Sequence, residues 1–229
     1  MSSYNYDNFS TDDYEFDTVV GPKVGDKAPD FELTTVTGDP KRLLDFDADF
    51  LVLEMGSITC PLFQSRRGIM GGLESEFDQV KCVVLYVREA HPGAQIKAHQ
   101  NSADKQSCAL RLKEQDSETR LILVDDFKGD AHMAYGSMPN AVFIIDQGGT
   151  VVFRAEWNNP SAVRHAIKAL VAGKKVTAKA YFRPPLPWRA IRTFKHAGTG
   201  SALDFFKGLP FLIWQNIVKR NLRLLFNKP

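Results

Sequence analysis

Three side chains could act as sulfur nucleophiles, Cys60, Cys82 and Cys108, and their surroundings separate them. Cys60 follows the apolar run Phe50-Leu-Val-Leu-Glu-Met and immediately precedes Pro61, a residue suited to the first turn of a helix. A thiol at such a strand-to-helix junction lies near unpaired N–H groups and the positive end of the helix dipole, which favours the reactive thiolate. Cys82 sits inside the run Cys82-Val-Val-Leu-Tyr-Val and reads as inert core. Cys108 falls on a predicted helix, either as a resolving thiol for Cys60 or as a half-buried helix residue. A thiolate that attacks a halogen, a peroxide or a disulfide needs a proton source for the departing group, and imidazole suits that near neutral pH. Glu89 and His91 lie just past a predicted strand, where α/β sheets place ligands, and His99 follows in the same segment. Each histidine reads equally well as a solvated loop residue. Glu54, in an otherwise apolar strand six residues before Cys60, is either a buried acid or base or an edge-facing carboxylate.

The elements that must position these groups follow from the apolar pattern. Residues 28–36 and the Thr37-Gly-Asp-Pro turn predict an extended segment. The run 50–55 predicts a buried strand, Pro61 to Phe77 a helix, 82–87 a second strand, and Ser102 to Lys113 a second helix. Further strands are expected at 121–124, 141–145 and 150–154, the last two joined by Asp146-Gln-Gly-Gly. Ser161 to Val171 predicts a closing helix with Ser161 as its N-cap. Strand, helix, strand, helix, strand, hairpin, helix is an α/β plan with a central mixed sheet flanked by helices.

The whole chain of 229 residues carries a formal charge of +2, which hides an asymmetry. Residues 174–229 hold 12 Lys and Arg against one acid, Asp204, so the remainder holds 17 basic and 26 acidic residues. Residues 1–22 are polar and acidic and are expected to form a flexible tail, 23–176 the α/β domain, and 177–229 a basic amphipathic extension. Within the extension, Arg183-Pro-Pro-Leu-Pro-Trp predicts an extended linker, and Ser201 to Phe226 a helix interrupted near Gly208-Leu-Pro. No apolar run reaches the roughly 18 residues of a membrane span, and the first residues do not resemble a secretory signal. Three cysteines make no disulfide framework and, with five histidines, no zinc spacing. The expectation is a cytoplasmic protein without bound metal or cofactor.

Several segments resemble the iodothyronine deiodinases. Leu51-Val-Leu-Glu-Met-Gly-Ser-Ile-Thr-Cys-Pro-Leu-Phe, with Arg66 following, is similar to the family's Gly-Ser-Cys-Thr-selenocysteine-Pro-Pro-Phe. Leu85-Tyr-Val-Arg-Glu-Ala-His-Pro, Lys97-Ala-His-Gln-Asn and Ala134-Tyr-Gly follow in the family's order. The resemblance covers about Val24 to Val171. It implies a thioredoxin-like fold of the peroxiredoxin and deiodinase type, with Cys60 at the selenocysteine position. It also places Ser57, Glu89, His91 and His99 on polar and proton-handling positions, with Thr59 and Pro61 beside the nucleophile. In such folds a cis-proline faces the active-site sulfur, a place that Pro139 would take, and Glu54 matches a buried proton acceptor. The chain departs from the family in carrying sulfur for selenium, Ile58 for a neighbouring cysteine, and a shorter segment between His91 and His99. The family's N-terminal membrane anchor is not seen, and the basic extension is extra.

The implied activity is reductive dehalogenation of an iodinated aromatic by the Cys60 thiolate, restored by an external thiol or by Cys108. Two alternatives stay open. Ser57 and Pro61 also satisfy the pattern of a peroxiredoxin-like thiol peroxidase, although Asn140 stands where that group carries a substrate-binding arginine. A non-catalytic scaffold using its basic extension is the other. Expected partners are a small halogenated or peroxide substrate, a thiol reductant, a second copy in a homodimer and a membrane surface touched by the extension, but no nucleic acid.

Overall fold

A computed structural model describes residues 4–226. Seven strands form one mixed sheet in the order β2-β1-β5-β4-β3-β6-β7. They are β1 Glu32–Thr35, β2 Pro40–Arg42, β3 Phe50–Gly56, β4 Val80–Tyr86, β5 Leu121–Val124, β6 Val142–Asp146 and β7 Val151–Ala155. β3, β4 and β5 pair in parallel, while β6, β7, β1 and β2 add antiparallel edges. The apolar runs of β3 and β4 occupy the centre because both of their faces are covered. Leu51, Leu53 and Met55 point into one core with Val83, Leu85 and Phe143. Val52 points into the other, with Cys82, Ile144, Val163 and Ile167. The period of two thus sorts β3 between two layers, and Glu54 falls on the Val52 side.

Helix α1, Pro61–Gly71, starts directly after Cys60 with Pro61 at its first position. It is shorter than the predicted 61–77, because Gly71 and Gly72 break it before a single turn, α2, Leu73–Glu76. Asn101 caps α3, Ser102–Glu114, by accepting from the Asp104 N–H. The short α4 spans Asp130–Ala134. For α5, Pro160–Val171, the cap is Asn159, not Ser161, which lies inside the first turn behind Pro160. No cis peptide bond occurs among the described residues, so the expected cis bond before Pro139 is trans. The turn into β6 is made instead by positive φ at Gly136 and Ser137, which leaves the intrinsic trans preference unopposed.

Residues 4–22, expected as a flexible tail, include side chains that pack on the domain. Arg88 gathers Tyr4, Tyr6 and Tyr14 over its guanidinium at 5.2, 4.8 and 4.8 Å, and it donates to the Tyr4 and Asp13 carbonyls. Acidic composition suggested disorder, but three tyrosines around one buried cation supply the packing that composition does not reveal. The extension is also more structured than predicted. The proline-rich stretch ends at Leu186, where Pro187 starts α6, Pro187–Ala197. α7, Ser201–Leu212, holds Pro210 internally and continues through a π-helical segment, Ile213–Arg220, into α8, Asn221–Phe226. Proline interrupts the hydrogen-bond ladder there, and the chain rewinds rather than stopping. The turn between α6 and α7 is tied to the loop that carries the histidines: Ala94 N–H donates to the Thr199 carbonyl and Gln95 N–H to that of Ala197, each at 3.0 Å. No helix among the described residues is long and apolar enough to cross a membrane.

Candidate functional site

The strand-to-helix junction places Cys60 at the N-terminal end of α1, with the backbone N–H groups of Leu62 and Phe63 directed at its sulfur. The residue is only 1% exposed. Burial pushes the Cys60 thiol up to about 11, and those two N–H groups and the Arg66 guanidinium only partly oppose it. The expectation that the helix start favours thiolate is therefore corrected for this closed arrangement: loss of hydration outweighs the dipole. Cys82 is buried core, as read from the sequence.

Two loops meet beside Cys60. The Ser57 hydroxyl accepts from the Ala90 N–H at 3.2 Å, and the Thr59 hydroxyl accepts from the His91 N–H at 3.1 Å. Thr59 in turn donates to Glu89 Oε2 through its hydroxyl at 2.6 Å and its N–H at 3.1 Å. The other oxygen of Glu89 accepts from the Tyr86 hydroxyl at 2.5 Å and pairs with His99 Nε2 at 3.2 Å. Burial alone would raise the Glu89 carboxyl, yet His99, Thr59 and Tyr86 together hold it below its ordinary range. Sequence reasoning brought Glu89, His99 and Thr59 into the site but missed Tyr86. The available signal was a tyrosine in an aliphatic strand three residues before Glu89.

His91 stands apart from that network. Its ring packs on Phe9, Phe194 and Phe205 with centroids at 4.4, 5.5 and 5.4 Å. Burial in this cage pulls its pKa down to about 3, so the ring is neutral, and Nδ1 has no hydrogen-bond partner among the described residues. His91 and Cys60 line one cavity of about 100 Å³, shared with Pro61 and Pro139. Leu62 and Trp157 add to it from the domain, and most of its remaining walls come from both ends of the chain: Phe9, Tyr14 and Phe16 on one side, Phe205, Leu209 and Ile213 on the other. These terminal contributors were not recognised from sequence, because each belongs to a segment read as tail or extension.

The other candidates fall outside the cavity wall. Arg66 donates to Asn140 Oδ1 at 3.1 Å and to the Arg183 carbonyl, so it clamps the proline-rich stretch against α1. Glu54 is fully buried, but Arg120 at 2.5 Å, Asn140 at 2.8 Å and Asn158 at 2.6 Å all donate to it. Of the alternatives open for it, the buried one holds, and three donors engage most of its lone pairs. Cys108 lies with Glu89 and His99, their polar atoms within 4.8 Å of one another. Burial pushes its thiol up to about 12. The three make a loose group whose carboxylate is already saturated, which does not fit a compact metal shell.

The sequence pattern of the iodothyronine deiodinase family matches residues 4–169. A type I iodothyronine deiodinase from Xenopus laevis is 27% identical over 136 residues, which are 55% of this chain and 54% of that protein. The chain thus spans about half the length of this curated relative. Among solved structures, an uncharacterized conserved protein from Geobacillus kaustophilus superposes with a TM-score of 0.56 at 22% identity, covering 69% of this chain and 86% of the other. A peroxiredoxin-like protein from Aquifex aeolicus gives 0.50 at 20% identity, covering 66% and 91%. These likenesses establish the thioredoxin-like α/β fold expected from the sequence.

Proposed function

The chain belongs to the iodothyronine deiodinase family, and from that premise we propose that it is a thiol-dependent oxidoreductase that reductively dehalogenates iodinated aromatic compounds at Cys60. The observation that carries this reading is the cavity in which the Cys60 thiol and a neutral His91 share walls of aromatic and aliphatic side chains. An apolar ring carrying a halogen suits such walls. A peroxide would need polar anchoring, and the Arg66 guanidinium is committed to Asn140 and Arg183.

In the proposed reaction the Cys60 sulfur bonds to the iodine as the carbon–iodine bond breaks. The thiol proton goes to the carbon, steered by the unpartnered Nδ1 of the neutral His91 ring, so the substrate is reduced and the sulfur becomes a sulfenyl iodide. An external thiol then displaces iodide, forming a mixed disulfide, and a second thiol restores Cys60 and leaves as the disulfide of the reductant. Ser57 and Thr59 hold the two loops in register, and the Glu89 carboxylate, bonded to Thr59, Tyr86 and His99, braces them from behind. At about 100 Å³ the cavity is smaller than the roughly 150 Å³ of an engineered site that admits benzene, so substrate entry requires the terminal segments to shift.

The test is iodide release from iodotyrosine and iodothyronine substrates by the full chain with a dithiol reductant, beside peroxide consumption. Cys60→Ser should abolish iodide release, and His91→Phe, which keeps the aromatic packing, should reduce it at least tenfold. Peroxide turnover without iodide release, or release that survives Cys60→Ser, would overturn the proposal.

A further inference from the structure

The extension has two faces of different character. Its inner face buries Phe194, Ala197, Ser201 and Asn216 against the domain, where Trp157 Nε1 donates to Asn216 Oδ1 at 2.6 Å. Its outer face leaves large apolar side chains in water: Trp188 is 63% exposed, Trp214 59% and Phe206 57%. Soluble monomers rarely leave so many large apolar groups together in the open. Between α6 and α7 runs an open groove of about 780 Å³ walled by Pro187, Ile191, Phe194, Phe206 and Leu209, with Lys195 beside them.

Charge identifies what covers this face. Residues 183–226 carry eight Lys and Arg against Asp204 alone, and Asp204 is already paired with Lys207 at 3.0 Å. Arg189, Arg192 and Lys195 on α6 are exposed and form no ion pair among the described residues. At helical spacing, Trp188, Ile191, Arg192 and Lys195 fall on one side of α6, opposite the buried Thr193, Phe194 and Ala197. An aromatic and aliphatic face interleaved with unpaired cations matches the boundary between acyl chains and anionic headgroups. Against a second copy, a two-fold interface would set the same basic patch on both of its sides, bringing like charges together.

We propose that the outer face of α6, α7 and the segment that follows them docks on the surface of an anionic bilayer. Trp188, Ile191 and Phe206 enter the acyl boundary, while Arg189, Arg192 and Lys195 meet the headgroup phosphates. Phe205, Leu209, Pro184 and Pro185 line both the outer groove and the Cys60 cavity, so the docked protein turns the roof of its cavity toward the lipid.

The test is flotation of the full chain with vesicles of phosphatidylcholine alone and of phosphatidylcholine containing phosphatidylserine, at low and high salt, alongside sedimentation velocity. Binding should require phosphatidylserine and weaken with salt. Arg192→Ala with Lys195→Ala should lower the affinity about 25-fold, at roughly fivefold per cation. Trp188→Ser with Ile191→Ser should abolish binding. All four positions are exposed, and an unchanged alkylation profile of Cys60 would verify that the fold is kept. Because binding is read without turnover, the outcome is independent of the catalytic proposal. Equal flotation with both vesicle types, no flotation, or self-association that Trp188→Ser abolishes would overturn the assignment.

Discussion

Truncating Phe205 tests the account of Cys60 most directly. This ring separates the Cys60 cavity of about 100 Å³ from the outer groove of about 780 Å³, and it packs on Phe194 at 5.0 Å and His91 at 5.4 Å. Phe205→Ala should join the two spaces and admit water to the sulfur. Burial is the dominant cause lifting the thiol from 9.0 to about 11, whereas the Leu62 and Phe63 N–H groups and Arg66 act in the opposite direction. Rehydration should therefore bring the midpoint down to 9.0 or below. Two units correspond to a factor of about one hundred in thiolate at neutral pH. The assay is the rate of iodoacetamide labelling of Cys60 against pH, followed by mass spectrometry. Cys82, buried and pushed up to about 12, serves as an internal reference. In the unaltered protein Cys60 should label slowly until the pH approaches 11, and Phe205→Ala should accelerate labelling at neutral pH by up to about a hundredfold. A wild-type midpoint at or below 9.0, or identical profiles for the two proteins, would refute the argument that the terminal segments suppress the thiolate.

Three further outcomes follow from the same contacts. His91 and His132 are both driven by burial from 6.5 to about 3, so the fold keeps them neutral while the unfolded chain protonates them. Their stabilisation is complete above about 6.5 and is lost as pH falls toward 3, at about 1.4 kcal/mol per unit for each; urea midpoints should fall between about pH 6.5 and pH 4, less steeply in His91→Phe. Removing Arg120 leaves Glu54 and Glu118 buried without their cation, so Arg120→Ala should cost about 3–5 kcal/mol in urea denaturation, and a loss below about 1 kcal/mol would contradict the ion-pair geometry. In Gly93→Ala the new Cβ would stand 2.6 Å from the Ala197 carbonyl oxygen. That substitution should push the α6–α7 turn off its loop, speeding proteolysis between α6 and α7 and Cys60 labelling together, whereas Gly68→Ala, in open space, should change neither.

The chemistry of the site was legible in the sequence where it depends on neighbours in the chain. Cys60 before Pro61, after an apolar strand, is enough to place a thiol at a helix start. Glu89 and His91 follow β4 by three and five residues, which is enough to bring both to its end. The continuous apolar runs of β3 and β4 also led to a buried central sheet, while its two cores are seen only in the fold.

What the tertiary structure decided is the state of those groups, since burial and partners come from residues far away in sequence. Glu54 reads as either a buried acid or base or an edge-facing carboxylate until Arg120, Asn140 and Asn158 are seen to surround it in the core. His91 reads as a solvated loop residue until Phe9, Phe194 and Phe205 enclose it. The thiol at the helix start is the same case. Chain connectivity put Cys60 beside the N–H groups that favour thiolate, but its pKa depends on hydration, and hydration is controlled by the two ends of the chain. The dipole that stabilises the anion is local to α1, whereas the desolvation that outweighs it is imposed by residues as distant as Phe9 and Phe205, which no spacing along the sequence connects to Cys60.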